Sequence, residues 1–347
     1  MLGPNRRALS VRSQNFLLVT GATGQIGRAV VRRCLNDNYN VRILARDKAQ
    51  ASKLFEGLNV DIVVANLDAS TDFASILTDI THICHCAARV GDWGPASEYW
   101  QTNVYAFKTM LDACNQKANK LQRFVHISSL GVYEPRDHFG TTEEEPIYKD
   151  GLDAYNQTKA ISEDMVLKHD LVKKVGVIVL RPGFVYGPGD RHVLPSVIET
   201  LRNRKFVHFD HGQHKLDNVS VFNVAEAVAL ALASKSVESA IFNITDKDLV
   251  TRKIFVETIA DMMKLPRPVG TIPRSLGRNL AYLCDGFGRL LQLKKPPLLS
   301  KARYKFLALN LEFSIEKAKK QLGYKGDFSF EDGMRSAVDW YKKESAL

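Results

Sequence analysis

Through the first half of the chain, short apolar runs rich in β-branched residues alternate with longer amphipathic stretches. FLLVT (16–20), VRILAR (41–46), VDIVVAN (60–66), THICHCAA (81–88), RFVHISS (123–129) and VGVIVLR (175–181) read as strands. Residues 25–36, 97–117 and 155–170 carry helical spacing between them. Strands separated by helices imply parallel pairing, because a parallel neighbour is reached only through a crossover, and such crossovers are right-handed. The expected fold class is α/β, a doubly wound parallel sheet with helices on both faces.

After residue 182 the rhythm changes. Pro and Gly cluster in RPGFVYGPGD (181–190), and aromatic, histidine-rich loops follow at 206–214. Helices then return with legible caps: Thr251 before RKIFVETIADMM, Ser314 before IEKAKKQL with Gly323 after it, and Ser329 with Asp332 three residues on. The expected organisation is a basic tail over 1–14, a sheet domain over 15–182, and a mainly substrate-binding lobe over 183–347. That lobe packs over the open end of the sheet and returns some strands and helices to its core.

Composition narrows the class. The 347 residues are 45% hydrophobic and 25% charged, as in an ordinary soluble globular protein long enough for two lobes. Cys34, Cys84, Cys86, Cys114 and Cys284 show no metal-ligand spacing, so no metal is expected, and they read as reduced structural thiols of a cytoplasmic protein. No apolar run approaches the roughly 18 residues of a membrane span. MLGPNRRALSVRSQ has three arginines but no apolar signal core.

The net charge of +10 fits an anionic cofactor, nucleic acid or anionic lipid, so its distribution matters more than its size. Between Leu276 and Asn310, seven Lys/Arg face one acid, Asp285, while Leu276, Leu280, Leu283, Phe287 and Leu291 recur at helical spacing. Such a segment either lies on an anionic membrane surface as a peripheral contact or forms a lid helix with a solvated basic edge; the lid is the favoured reading. Basic and aromatic residues do not interleave, which argues against a nucleic-acid partner.

Candidate chemistry sits at two places. LLVTGATGQIGRAVVRR joins a strand to a helix through Gly21, Gly24 and Gly27. Glycine there permits a tight turn, close approach of the backbone to a pyrophosphate, and close helix–strand packing. The helix N-terminus then offers free N–H groups to the phosphates. At the end of the second strand an arginine accommodates a ribose 2′-phosphate, whereas an acid bonds the 2′-hydroxyl. Arg46 at that end favours NADP, while a strand one residue longer would present Asp47 and favour NAD. The second place is DAYNQTKA (153–160), where Tyr155 and Lys159 stand about one helical turn apart. A free phenol titrates near ~10, and a neighbouring cation would lower that value.

With the glycine turn, further motifs follow in a fixed order: HCAA (85–88), NV (103–104), ISSLGVY (127–133), YNQTK (155–159), RPGFVYGPGD (181–190) and IFNITD (241–246). From about residue 16 to 340 the chain resembles the extended short-chain dehydrogenase/reductase family, within the NAD-dependent epimerase/dehydratase superfamily. The resemblance implies a Rossmann domain with a smaller C-terminal substrate lobe. It implies Tyr155 as acid/base, Lys159 as its activator and nicotinamide-ribose ligand, Ser129 as the carbonyl-polarising hydroxyl, and Asn103 as support for a structural water. Ser128 competes with Ser129, and counting from Tyr133 favours Ser129. Implied cofactor contacts are Gly21, Thr23, Gly24, Gln25, Ile26 and Gly27 in the turn, then Arg46, Asn66, Leu67, Ala87, Ala88 and Pro182, with Tyr155 and Lys159. Family members are often dimers, which implies a homodimer.

Within the family, AARVGDWGPASEYWQTNV (87–104) and LGYKGDFSFEDGMRSAVDW (322–340) are similar to the 3β-hydroxysteroid dehydrogenase-like branch, which includes sterol-carboxylate dehydrogenases and reductases of long-chain 2-alkyl-3-oxo acids. Leu130 and Gly131 replace the acidic pair of sugar-nucleotide dehydratases, Phe184 stands where many epimerases carry an asparagine, and Asn223 replaces an acid. Trp93 and Pro95 are candidate walls of an apolar pocket. The expected reaction is interconversion of a secondary alcohol and a ketone by hydride transfer, with the tyrosine as acid/base, on a hydrophobic substrate, sterol-like or long-chain β-keto/β-hydroxy. A nucleotide-sugar epimerase and a non-catalytic dinucleotide-binding module are the alternatives.

Overall fold

The computed structural model describes residues 15–345 except 69, 92, 150–152, 292, 294–296 and 298, and leaves aside the Arg289 side chain. The expected basic tail lies outside the described residues. Seven parallel strands form the central sheet: β1 (Phe16–Thr20), β2 (Asn40–Ala45), β3 (Val60–Val64), β4 (His82–His85), β5 (Arg123–Ile127), β7 (Gly176–Pro182) and β11 (Ala240–Ile244). Their order is β11-β7-β5-β4-β1-β2-β3. Chain direction across the sheet reverses between β1 and β4, and the carboxyl ends of strands at such a reversal are where α/β proteins hold ligands.

Alternating side chains explain the two covered faces. Leu17, Val19, Ile43 and Cys84 point to one side, packing on α1 (Gln25–Asn36), α2 (Lys48–Leu54), α8 (Val221–Ala233) and α12 (Glu316–Leu322). Leu18, Leu44, Ile83 and Phe124 point to the other, against α3 (Phe73–Ile76), α5 (Ala106–Lys117) and α6 (Ala154–Lys168).

Several expected elements end early. β4 stops at His85 and β5 at Ile127, so Cys86–Ala88 and both serines lie in loops beyond the ladder. The helix expected over 97–117 is α4 (Ala96–Trp100), a π-helical turn over Gln101–Tyr105, and α5. α6 ends at Lys168 because His169 leaves helical geometry and its ring accepts the Leu171 N–H at 3.1 Å.

Further along, α7 (Val193–Arg202), α9 (Arg252–Met262) and α13 (Phe330–Ser345) share a core through Ile198, Ile259 and Met334. Three two-stranded ladders complete the topology. They pair β8 (Phe184–Tyr186) with β10 (Asn218–Ser220), β9 (Val207–Phe209) with β12 (Gly270–Ile272), and β6 (His138–Thr141) with β13 (Leu311–Phe313). Thr251 caps α9, Gly323 ends α12 at φ 69°, and Ser329 and Asp332 exchange hydrogen bonds as expected. At α12 the cap falls on Ile315, and the Ser314 hydroxyl accepts from the Glu316 N–H at 3.3 Å.

α10 (Arg274–Leu290) and α11 (Lys301–Ala308) sit together over Leu130, Tyr133 and Phe209. The lid expectation holds only in part, because α10 is turned the other way round. Gly277 against the Phe209 ring, buried Ala281 and Asp285, and Gly288 beside Trp93 make its inner face. Leu276, Leu280, Leu283, Phe287, Leu290 and Leu291 remain 46–75% exposed. No helix among the described residues is long and apolar enough to cross a membrane.

Candidate active site

The turn after β1 is shaped by what its glycines lack. Gly21 has φ +67°, and a Cβ there would stand 2.6 Å from the Ala87 nitrogen. A Cβ on Gly27 would meet the Gly21 carbonyl oxygen at 2.3 Å, so the helix approaches the strand as closely as backbone allows. Gly24 caps α1 with no side-chain hydrogen bond and no acid in the first turn, leaving the amide end of the helix open to an anion. This cradle fits a dinucleotide pyrophosphate. Thr23 and Ile26 are half-buried around it, and Gln25 Nε2 donates to the Gly187 carbonyl at 3.1 Å.

β2 ends at Ala45, so Arg46 is the first residue beyond it, exposed and without a hydrogen bond or ion pair among the described residues. Asp47 is occupied elsewhere: its carboxylate caps α2, accepting the Gln50 N–H at 3.0 Å. Asn66 is exposed past β3, with its carbonyl accepting from the Thr71 hydroxyl at 2.5 Å, and Leu67 beside it is half-buried. Ala87 donates to Thr20 Oγ1 at 3.3 Å, Ala88 follows half-buried, and Pro182 closes β7.

Tyr155 and Lys159 lie in the first two turns of α6, which Asp153 caps by accepting the Asn156 backbone N–H at 3.0 Å and Asn156 Nδ2 at 2.7 Å. The Lys159 ammonium donates to the Ile127 carbonyl at the end of β5. Burial lowers its pKa to about 8, against the Cys86 and Glu163 side chains, which raise it. The titration expected for Tyr155 is reversed in the protein alone. Burial, seconded by the Asp153 carboxylate, pushes its phenol up to about 12, opposed by the Ser129 hydroxyl. At neutral pH the phenol is therefore protonated.

The rival serines separate cleanly. Ser128 is buried and donates to Glu163 Oε2 at 2.6 Å, whereas Ser129 faces Tyr155 and accepts the Gly131 N–H at 3.0 Å. Asn103, in the π-helical turn, uses Oδ1 to accept the Arg89 N–H at 2.7 Å. Its Nδ2 donates to the Arg89 carbonyl at 3.1 Å and Thr158 Oγ1 at 2.9 Å. It staples the loop after β4 to α6 with both amide hydrogens engaged. Trp93 donates to the Leu293 carbonyl at 2.7 Å, joining its loop to the end of α10, while Pro95 is exposed at the start of α4. The Phe184 ring centre lies 4.4 Å from that of Phe306, tilted by 46°, and 5.6 Å from that of Phe255, edge to face.

Sequence reasoning missed a buried network behind the site. Arg181 and Glu163 form an ion pair with side chains only 3% and 1% exposed, extended by Tyr133 and Asn243. A lone Arg in the apolar run VGVIVLR was its only signal. His85 and His126, stacked with Phe107, are pushed down by burial, His85 to about 3, and stay neutral.

Comparisons with known proteins agree with this architecture. The chain is 27% identical over 318 residues to a 4-hydroxy-2-methyl-3-oxo-4-farnesyl-3,4-dihydroquinoline-1-oxide ketoreductase of Stigmatella aurantiaca, covering 91% of this chain and 93% of that protein. It is 28% identical to the decarboxylating sterol-4-alpha-carboxylate 3-dehydrogenase of Schizosaccharomyces pombe, covering 95% and 98%, and 26% identical to a 2-alkyl-3-oxoalkanoate reductase of Stenotrophomonas maltophilia, covering 92% and 97%. Among solved structures, UDP-glucuronic acid 4-epimerase from Bacillus cereus in complex with NAD superposes with a TM-score of 0.74 at 20% identity, over 95% of this chain and 99% of that one, which speaks to fold alone. The family profile matches residues 17–245, from β1 through β11 and so through every strand of the central sheet, and the chain therefore belongs to the NAD dependent epimerase/dehydratase family.

Proposed function

We propose that this protein is an NADP-preferring oxidoreductase that interconverts a secondary alcohol and a ketone on a hydrophobic substrate, sterol-like or long-chain. The observation that carries the reading is the meeting of Ser129, Tyr155 and Lys159 at the carboxyl ends of β5 and α6's first turns, in the fold that also presents the glycine cradle. The open end of α1 would hold the pyrophosphate, and Lys159 with Tyr155 the nicotinamide ribose. The unpartnered Arg46, beside an Asp47 engaged in capping, supports a 2′-phosphate.

A bound nicotinamide supplies or accepts the hydride. Tyr155, protonated at neutral pH, donates its proton to the carbonyl oxygen during reduction, and the Ser129 hydroxyl hydrogen-bonds that oxygen as charge develops. In the oxidative direction the phenolate must form, and it needs cationic help beyond what the protein alone gives. Phe184, within its aromatic cluster, supports an apolar substrate over a sugar nucleotide. The outward apolar face of α10, in a segment with net positive charge, supports peripheral contact with an anionic membrane as the source of such a substrate.

The test is cofactor turnover with a panel of hydroxysteroids, β-hydroxy acids and UDP-sugars. Turnover of NADPH with an apolar ketone is expected; activity only on UDP-sugars would replace this reading by an epimerase. Arg46→Ala is expected to erase the preference for NADP over NAD. Sedimentation with vesicles containing anionic lipid, lost in Leu283→Glu/Phe287→Glu, checks the membrane contact.

A further inference from the structure

Two thiols meet where β4 runs out. Cys84 and Cys86 stand two apart in extended chain, so both side chains point to the face covered by α1, and their sulfurs lie 3.4 Å from each other. Cys84 is fully buried, whereas Cys86, the first residue beyond the strand, keeps part of its surface open. Cys34 of α1 is a third buried thiol on the same face. All three are free.

Cys86 stands where the glycine cradle meets the catalytic helix. Its N–H donates to the Thr20 carbonyl at 3.2 Å and the Ala87 N–H donates to Thr20 Oγ1 at 3.3 Å, which ties this segment to the residue before Gly21. Gly21 packs on the same backbone: a Cβ there would stand 2.9 Å from the Cys86 carbonyl carbon. On the other side, the Cys86 side chain neighbours the Lys159 ammonium and is the foremost group raising that lysine's affinity for its proton against burial. A proton donor thus lies beside a partly open sulfur. Burial pushes the Cys34 thiol up to about 12 and the Cys84 thiol well above its ordinary value, so neither competes as the first sulfur to react.

We infer that Cys86 is an oxidation site and Cys84 its resolving thiol, so that hydrogen peroxide closes a disulfide between them and weakens the hold on the dinucleotide. The Cys86 sulfur attacks one peroxide oxygen, the O–O bond breaks, and the other oxygen leaves as water, which oxidises Cys86 by two electrons to a sulfenic acid. The Cys84 sulfur then displaces the sulfenic oxygen, and its thiol proton departs with that oxygen as a second water. Two thiols and one peroxide thereby give one disulfide and two waters. The sulfurs must approach from 3.4 Å to about 2.05 Å. Cys84 is fixed in the ladder opposite Val19, so the residue that moves is Cys86, with the backbone packed on Gly21 and bonded to Thr20. Its shift disturbs the pyrophosphate cradle and withdraws the sulfur from Lys159. A dinucleotide already bound covers this segment and shields the thiol. The inference rests on the dinucleotide reading of the glycine turn and adds to it how that site is regulated.

The experiment treats the wild-type protein with hydrogen peroxide, blocks remaining thiols with iodoacetamide, and follows the digested peptides by mass spectrometry alongside a fluorescence titration with NADP. The peptide carrying Cys84 and Cys86 is expected to lose two hydrogens and escape alkylation. NADP binding should weaken roughly 10- to 100-fold, the worth of one hydrogen bond to a charged group. Dithiothreitol should reverse both changes, and NADP added before the peroxide should prevent both. In Cys84→Ala the oxidation should stop at a sulfenic acid on Cys86 that dimedone traps, and in Cys86→Ala the Cys84 thiol should stay reduced. Oxidation of Cys84 in Cys86→Ala, a bridge from Cys86 to Cys34, or a Cys84–Cys86 bridge that leaves NADP binding unchanged overturns the proposal. Reduced wild type that binds neither NADP nor NAD speaks instead against the dinucleotide site, since the peptide masses report the thiol pair independently.

Discussion

Replacing Arg181 by Met should destabilise the protein far more than removing both Arg181 and Glu163 together. Arg181 Nε lies 3.1 Å from each Glu163 oxygen, Nη2 makes a further bond to Oε1, and Nη1 donates to the Tyr133 hydroxyl at 2.5 Å. Arg181→Met strands a Glu163 carboxylate whose side chain is 1% exposed, with the Ser128 hydroxyl as its remaining partner. An uncompensated buried charge of this kind costs about 3–5 kcal/mol. The double variant Arg181→Met/Glu163→Leu removes the charge with its partner and fills similar volume, so it should recover most of that loss. Urea titration of wild type, both single variants and the double variant, followed by tryptophan fluorescence, closes the cycle. A loss under about 1 kcal/mol for Arg181→Met, or a double variant equal to the sum of the singles, would refute the argument. The pair joins β7 to α6 and holds Ser128 next to Ser129, so Arg181→Met should also lower kcat.

Tyr155→Phe should reduce kcat by about 10²- to 10⁴-fold while leaving NADP binding, read by fluorescence titration, close to wild type. The kcat/KM for ketone reduction should decline as pH rises through about 8, where Lys159 loses its proton, and Lys159→Arg should move that limb upward. The folded value of Lys159 lies below its ordinary 10.5, so the unfolded chain binds more protons between about 8 and 10.5. Stability from this group should therefore rise with pH across that window in denaturation curves, and Lys159→Met should flatten the rise. Gly27→Ala forces a methyl to within 2.3 Å of the Gly21 carbonyl oxygen; it should destabilise by about 1–3 kcal/mol and weaken cofactor binding, visible in thermal melts with and without NADP.

The parts legible in the chain were those with short-range causes. Alternating apolar runs and helices specify a doubly wound parallel sheet, since strands apolar on both faces must be covered on both. The turn through Gly21, Gly24 and Gly27 and the Tyr155–Lys159 spacing are likewise local, because a few residues of backbone geometry define them. Tertiary structure decided what depends on neighbours distant in sequence. It separated Ser129 from Ser128 through Glu163, engaged Asp47 as a helix cap and left Arg46 open. It reversed the expected titration of Tyr155, since burial outweighs a cation turned toward Ile127. It turned the apolar face of α10 outward, because only small residues fit against Phe209 and Trp93. It also carried Lys305 to the Gly131 turn, 174 residues away in sequence, a contact that no periodicity along the chain encodes.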